Sequence, residues 1–409
     1  MDYAAVTRYV AFGLIVAFLL GLGGWYMFLS NRALPFTNLA GERGLGENIP
    51  AFSGFGGSTF ENIVSGLGFR EETPDEEGGT APRLWQVQAT PAAGLGFLAG
   101  ATSSTLRLME RSTGHIFEAD PRSGAVKRVT NTLIPKVHEA SFAGDGSVIG
   151  SMMNDAGAKT VFTATLTRAS STDAFSSLQE TSLGEQILDI VPSRAQRTFV
   201  SLVPDSEGAV VIRSEWNGTR PQRVFTSGLS DWHLHLLTDD SLVLVQKAAS
   251  GVPGSAYRVT GNGSLSPLAR GIDGLTILPR ANSEFALIGA DNGVISLSLQ
   301  TATSSLVLPL RTMADKCVWA PGANPIAYCA VPSTITSTRF LDEWYRGLIH
   351  TSDSWWKVDA AAGTTELLFT PGTEGRTLDV ENPVINDTGE YLAFMNARDK
   401  SAWILRIAE

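Results

Sequence analysis

From Pro82 to the C-terminus, apolar and polar positions alternate in short runs rich in β-branched and aromatic residues, broken by turn residues and almost free of helical period. Such alternation predicts half-buried β-strands. The runs fall into seven units. The first holds TLRLMER, GHIFEADPRSG and AVKRVT; the second EASFAGDGSVIGSM and KTVFTATL; the third ILDIVPSRAQRTFVSLV, AVVIRSEW and QRVFTS. The fourth holds DWHLHLLTDDSLVLVQK, SAYRVT and LSPLAR; the fifth LTILPRANSEFALIGA, GVISLSL and SSLVLPL. The sixth holds KCVWAPGANPIAYCAV, SWWKVDAAAG and TTELLFT, and the seventh ENPVINDTGEYLAFMNA and SAWILRI. A period of about forty residues is that of propeller blades with four strands each. The expected fold is therefore all-β, a seven-bladed β-propeller of four-stranded blades.

The seventh unit supplies only three strands before Ala408. An unfinished blade would leave an open sheet edge, so the ring needs a donor strand from elsewhere. The segment 83–88 alternates like a strand and precedes the first complete unit. We expect Leu84 to Val87 to be the outer strand of the last blade, making 83–409 one propeller domain.

Within the sixth unit, folding Lys316–Val331 about Ala323 sets Val318 against Tyr328, Trp319 against Ala327 and Cys317 against Cys329. Directly opposed strand residues are close enough for a disulfide, while two facing buried thiols are the alternative. The seventh unit aligns with this hairpin without a gap, Val384 at Val318 and Ile385 at Trp319. Pro383 and Met395 stand where the cysteines are, so the bridge is an addition to one blade.

The N-terminal region has a different pattern. No residue from Tyr9 to Leu29 is charged, and the run is long enough to cross a bilayer as a helix. Residues 1–30 are thus expected to be a transmembrane anchor, with a cleaved signal peptide as the competing reading. The short leader and the cysteine pair favour an N-terminus inside and a propeller on the outer face of the cytoplasmic membrane. Gly13, Ala17 and Gly21 share one helix face, the small-xxx-small pattern of helix dimers. Residues 31–82 are rich in Gly, Ser, Asn and Pro and end in EETPDEEGG, the composition of a flexible tether. Its roughly fifty residues would reach about 40 Å if fully flexible.

Composition narrows the function. The chain has 409 residues, 43% hydrophobic and 18% charged, enough for a large ordered core. A net charge of −10 gives no footprint for nucleic acid. Two cysteines cannot make a four-thiolate zinc site.

At Trp319, Ala320, Pro321, Gly322, Ile326, Ala327 and Tyr328, and again at Asp387, Gly389 and Leu392–Phe394, the chain resembles TolB-like, WD-repeat-like β-propellers of bacterial envelopes. Their repeats carry Trp-Ser-Pro-Asp-Gly before an apolar strand; here Ser is replaced by Ala320, and Asp-Gly by Gly322 and Ala323. With the N-terminal apolar run, KCVW…AYCAVP and DEWYRGLIHTSDSWWKVD resemble membrane-anchored propeller proteins of candidate-phyla bacteria. That resemblance implies a fold and a location but no activity.

No nucleophile elbow, phosphate loop or His-Glu-x-x-His motif occurs. His233 and His235 share a strand face, with Asp231 and Asp239 near in sequence, but a pair without a third histidine reads as ordinary packing. His115, His138 and His350 are isolated. No cofactor, metal site or catalytic residue is expected. Asn217, Asn262 and Asn386 open Asn-x-Ser/Thr triplets and read as turn residues. The sixth unit spends about twenty residues, Pro332 to Asp353, where its neighbours use tight turns, and such insertions project from one face of a repeat scaffold. It carries Phe340, Trp344, Tyr345 and Arg346, with Trp355 and Trp356 just beyond, residue types that dominate binding hot spots. The alternative is a short helix over Leu341–Leu348 that caps the propeller.

The expected function is a non-catalytic, membrane-anchored module that binds an envelope protein or surface glycan through these aromatics. The alternatives are a glycan-binding or hydrolytic propeller with its site in the central channel, and an accessory subunit of a pilus or secretion assembly. Three or more inward-facing acidic, Arg or His side chains at one end of the channel would favour the glycan-binding or hydrolytic alternative; an apolar or Ser/Thr-lined channel would count against it.

Overall fold

The computed structural model describes residues 80–408, apart from 101–103, 154–157, 168–174 and 185. The expected anchor at 9–29, the Gly13, Ala17 and Gly21 face and most of the tether lie outside them. Among the described residues no helix is long and apolar enough to cross a membrane.

The chain forms seven antiparallel sheets of four strands. In chain order the first strands of blades one to seven are Ala92–Phe97, Val137–Phe142, Asp189–Pro192, Trp232–Leu236, Thr276–Pro279, Cys317–Trp319 and Val380–Ile385. First strands touch between blades one and two, two and three, three and four, six and seven, and seven and one, and each sheet runs outward from there. The fold is the seven-bladed propeller expected from the repeat.

Closure follows the expected route. Leu84–Gln88 pairs antiparallel with Ala402–Arg406, Leu84 opposite Leu405 and Trp85 opposite Ile404. The Arg406 N–H donates to the Arg83 carbonyl at 2.7 Å, extending the ladder by one more bond. Leu84 is buried among Trp403, Leu405, Phe394 and Trp355, so this strand closes an apolar interface as well as an edge.

Neighbouring blades share cores. Phe97, Leu106 and Leu108 of blade one pack with Tyr391, Met395 and Ile404 of blade seven. The rings of Trp355 in blade six and Phe394 in blade seven lie 5.5 Å apart, between centroids. Each interface buries several large side chains, each contributing about 1.5–3 kcal/mol relative to exposure.

Two strands have no counterpart in the units read from the sequence. Ala92–Phe97, AAGLGF, has low strand propensity but is almost wholly buried. A Cβ on Gly94 would lie 1.8 Å from the Ala140 carbonyl oxygen, and one on Gly96 2.9 Å from Phe142 Cβ. Close approach to blade two therefore demands glycine there. The other strand, Ser177–Gly184, is a mostly polar outer strand.

The hairpin of blade six has the expected register, Cys317 opposite Cys329, Val318 opposite Tyr328 and Trp319 opposite Ala327, and the two cysteines are joined. Blade seven departs from the ungapped alignment. Ile385 pairs with Leu392 where the alignment would pair it with Ala393, and the register shifts again between Glu381 and Val384. Pro383 lacks a ladder donor and Asn382 has φ 48°, so the first strand bulges there. Asn217, Asn262 and Asn386 are turn residues, each accepting a backbone N–H within its own turn.

Candidate functional site at the channel mouth

At one end of the ring the first strands surround a cavity of about 950 Å³. Several blades contribute what their first strands carry. Blade two supplies His138 and Glu139, blade three Asp189, blade four His233 and His235, and blade seven Glu381. Asp315 comes from the 3-10 turn Ala314–Lys316 before blade six, and Arg398 and Lys400 from the last hairpin of blade seven. Four of the five histidines in the chain line this one cavity.

The sixth-blade excursion forms its rim. Its helix, Phe340–Tyr345, is shorter than the expected Leu341–Leu348. Phe340 and Leu341 are buried, packing with Ile295 and Met313. The Leu341 N–H donates to Asp291 Oδ2 at 3.2 Å, and the Ser250 N–H to Asp342 Oδ1 at 3.0 Å. These bonds fix the helix over blades four and five. Trp344, Tyr345, Arg346 and His350 then face the cavity.

The six aromatic and Arg residues singled out from the sequence thus divide. Phe340 and Trp355 are fully buried and offer no surface. Trp356 is half-buried against the core around Cys329 and Val358. Trp344 donates its Nε1–H to Asp379 Oδ1 at 2.8 Å, with the Lys316 Nζ 4.8 Å from its ring centroid. Tyr345 is 46% exposed and its hydroxyl donates to Asp315 Oδ2. Arg346 is exposed beside it.

His233 and His235 also lie where the sequence did not place them. They line the channel, and the carboxylate that meets His233 is neither Asp231 nor Asp239. It is Asp189 of the adjacent blade, whose Oδ2 lies 3.4 Å from His233 Nδ1. That oxygen also accepts the Leu234 N–H at 2.8 Å, and Oδ1 accepts the Ile190 N–H at 2.8 Å. Asp239 instead holds a turn, accepting from Ser241 and Asn282.

The two histidines are driven apart electrostatically. Asp189 raises the His233 pKa above its ordinary value. Burial lowers that of His235, opposed by Asp315. Burial alone would raise the Asp189 carboxyl, but His233 and the backbone donors outweigh it and hold it low. One imidazole therefore favours its charged form and its neighbour the neutral form. Other charges are paired: Lys400 Nζ lies 2.6 Å from Glu381 Oε2, and Arg398 donates to the Thr351 carbonyl at 3.1 Å. Among the described residues no group of three His, Cys, Asp or Glu is arranged to hold a metal ion.

No family model matches the chain, and no curated protein matches it in sequence. Solved structures are similar to it at low identity. Virginiamycin B lyase from Staphylococcus aureus is 12% identical, the match covering 80% of this chain and 98% of that one, with TM-score 0.49. TolB from Acinetobacter baumannii is 11% identical over 74% of this chain and 63% of that one, with TM-score 0.36. The Cps50 (Swd1) β-propeller domain from Myceliophteria thermophila is 8% identical over 79% of this chain and 98% of that one, with TM-score 0.47. The likeness is one of fold.

Proposed function

We propose that the chain is a binding propeller, tethered to the outer face of the cytoplasmic membrane through residues 9–29, whose ligand is a peptide segment of a partner protein seated in the channel mouth. One observation carries this reading. The excursion's Trp344, Tyr345 and Arg346 and the charged residues of the first strands, expected as separate sites, line the same cavity. A space of about 950 Å³ suits a chain end or loop tip, not a folded domain.

The lining chooses among ligand classes. Glu139, Asp189, Asp315 and Glu381 face Arg111, Arg346, Arg398 and Lys400 across the same space. Balanced charge of both signs with Tyr and Arg at the rim suits a peptide, whose backbone and side chains offer both polarities. The gathering of His138, Asp189, His233, His235 and Glu381 at the mouth also supports the second reading, a glycan-binding or hydrolytic channel site. The Cys317–Cys329 bond supports an oxidising location. Dimerisation through Gly13, Ala17 and Gly21 remains part of the proposal for the anchor.

The test is capture from native membranes by the full chain and by a variant carrying Tyr345→Ser and Arg346→Ala. A protein retained by the first and lost by the second, at equal melting temperature, is the expected result. Equal capture by both, or recovery of a glycan without protein, contradicts it.

A further inference from the structure

Lys316, Asp353 and Asp379 have side chains with 0% exposure. The Lys316 Nζ lies 2.6 Å from Asp353 Oδ2 and 2.7 Å from Asp379 Oδ1, with the Val380 carbonyl oxygen at 3.0 Å and Thr351 Oγ1 at 3.1 Å. One ammonium between two carboxylates is an expensive arrangement, because desolvating buried ions is only partly recovered by their attraction.

The two carboxylates are not equivalent. Asp379 is held at both oxygens: Oδ1 accepts from Trp344 Nε1 at 2.8 Å and Thr351 Oγ1 at 2.7 Å, and Oδ2 meets His350 Nδ1 at 3.0 Å. Asp353 is held at one. Its Oδ2 accepts the Val380 N–H at 2.8 Å, whereas its buried Oδ1 has no hydrogen-bond donor among the described residues. A carboxylate oxygen buried without a donor forfeits its solvation.

We propose that Lys316 and Asp353 condense to a side-chain amide, an intramolecular isopeptide bond. The ammonium first passes a proton to Asp353 Oδ2 across their 2.6 Å contact, giving an amine and a carboxylic acid. The Nζ lone pair then attacks Asp353 Cγ. Oδ1 stays as the amide oxygen, and Oδ2, which holds the first proton, departs as water. Asp379 accepts a proton from the nitrogen and returns it to the leaving oxygen. An ammonium and a carboxylate thereby become one amide and one water, with no oxidant, reductant or further reactant.

Net charge in the cluster is −1 before and after the reaction, and the remaining charge sits on Asp379, the carboxylate with more hydrogen-bond partners. Burial would push the Asp379 carboxyl up, but Lys316, Trp344 and Thr351 bring it down to about 2 while Lys316 is charged; its Oδ1 lies 2.7 Å from Nζ, within reach of the nitrogen's proton. The bond would join residues 37 apart, next to the Cys317–Cys329 bridge, at the root of the excursion.

Intact-mass measurement of the reduced, denatured full chain tests this. We expect a mass lower than that of the sequence by one water, and a branched peptide joining Lys316 to Asp353 after proteolysis. The full sequence mass overturns the proposal, and a branch to Asp379 overturns the choice of acceptor. Asp379→Asn, compared at retained fold, is expected to have the full mass of its own sequence; loss of one water in that variant removes the carrier role.

Discussion

Trp344 of the excursion and Asp379, one residue before the first strand of blade seven, are joined by a 2.8 Å hydrogen bond from the indole Nε1–H to Oδ1. This contact makes the excursion part of the propeller and not an appendage. It also separates two roles that look alike in the sequence: Trp344 holds the rim in place, and Tyr345 presents it.

Trp344→Phe keeps the ring and removes the donor. The Asp379 carboxylate is fully buried, so the loss is expected to cost about 1–3 kcal/mol, read as a lower midpoint in urea denaturation. Tyr345→Phe removes only the bond of a half-exposed hydroxyl to Asp315 and is expected to cost less. Equal effects would contradict the division of roles.

The channel histidines should titrate separately. A raised His233 contributes stability that is fully present below its unfolded pKa and is lost as pH rises through the higher folded value. Asp189, whose pKa is depressed, contributes stability present above its unfolded value and lost as pH falls through the folded one. Their pairing is therefore strongest between about pH 4 and pH 6.5, the ordinary carboxylate and imidazole values. Proton NMR should show His233 titrating above His235, and Asp189→Asn should lower the His233 midpoint. A midpoint indifferent to Asp189→Asn would show that the contact does not govern this histidine.

Ring closure rests on Leu84, which is 3% exposed. Leu84→Ala should cost about 2–5 kcal/mol through the cavity it leaves, whereas Gln86→Lys on the same strand points outward and should stay within about 0.5 kcal/mol. Urea denaturation of both variants checks this. A Leu84→Ala variant as stable as the parent would mean that the strand does not close the ring.

The fold was legible because strand alternation repeats at a constant period, and the missing outer strand of the last blade pointed to its donor. Ala92–Phe97 was not legible, because what specifies Gly94 and Gly96 is the approach of blade two rather than any local preference. The aromatic half of the candidate site showed itself as an insertion, Trp344 and Tyr345 being concentrated in a few residues. Its charged half did not. His138, Asp189, His233 and Glu381 lie on four different blades, and ring closure brings them to one cavity. A signal was present, since each occupies the first strand of its unit, but only a register across blades makes it visible.

The central claim is that a partner enters the channel mouth. A photo-reactive residue placed at Tyr345, at the rim, can be compared with one at Val307, which is 70% exposed on the outer strand Ser305–Val307 of blade five. Irradiation of native membranes is predicted to give a protein adduct from position 345 and none from 307. An adduct from 307 with none from 345 would place the interaction on the outer wall and contradict the account.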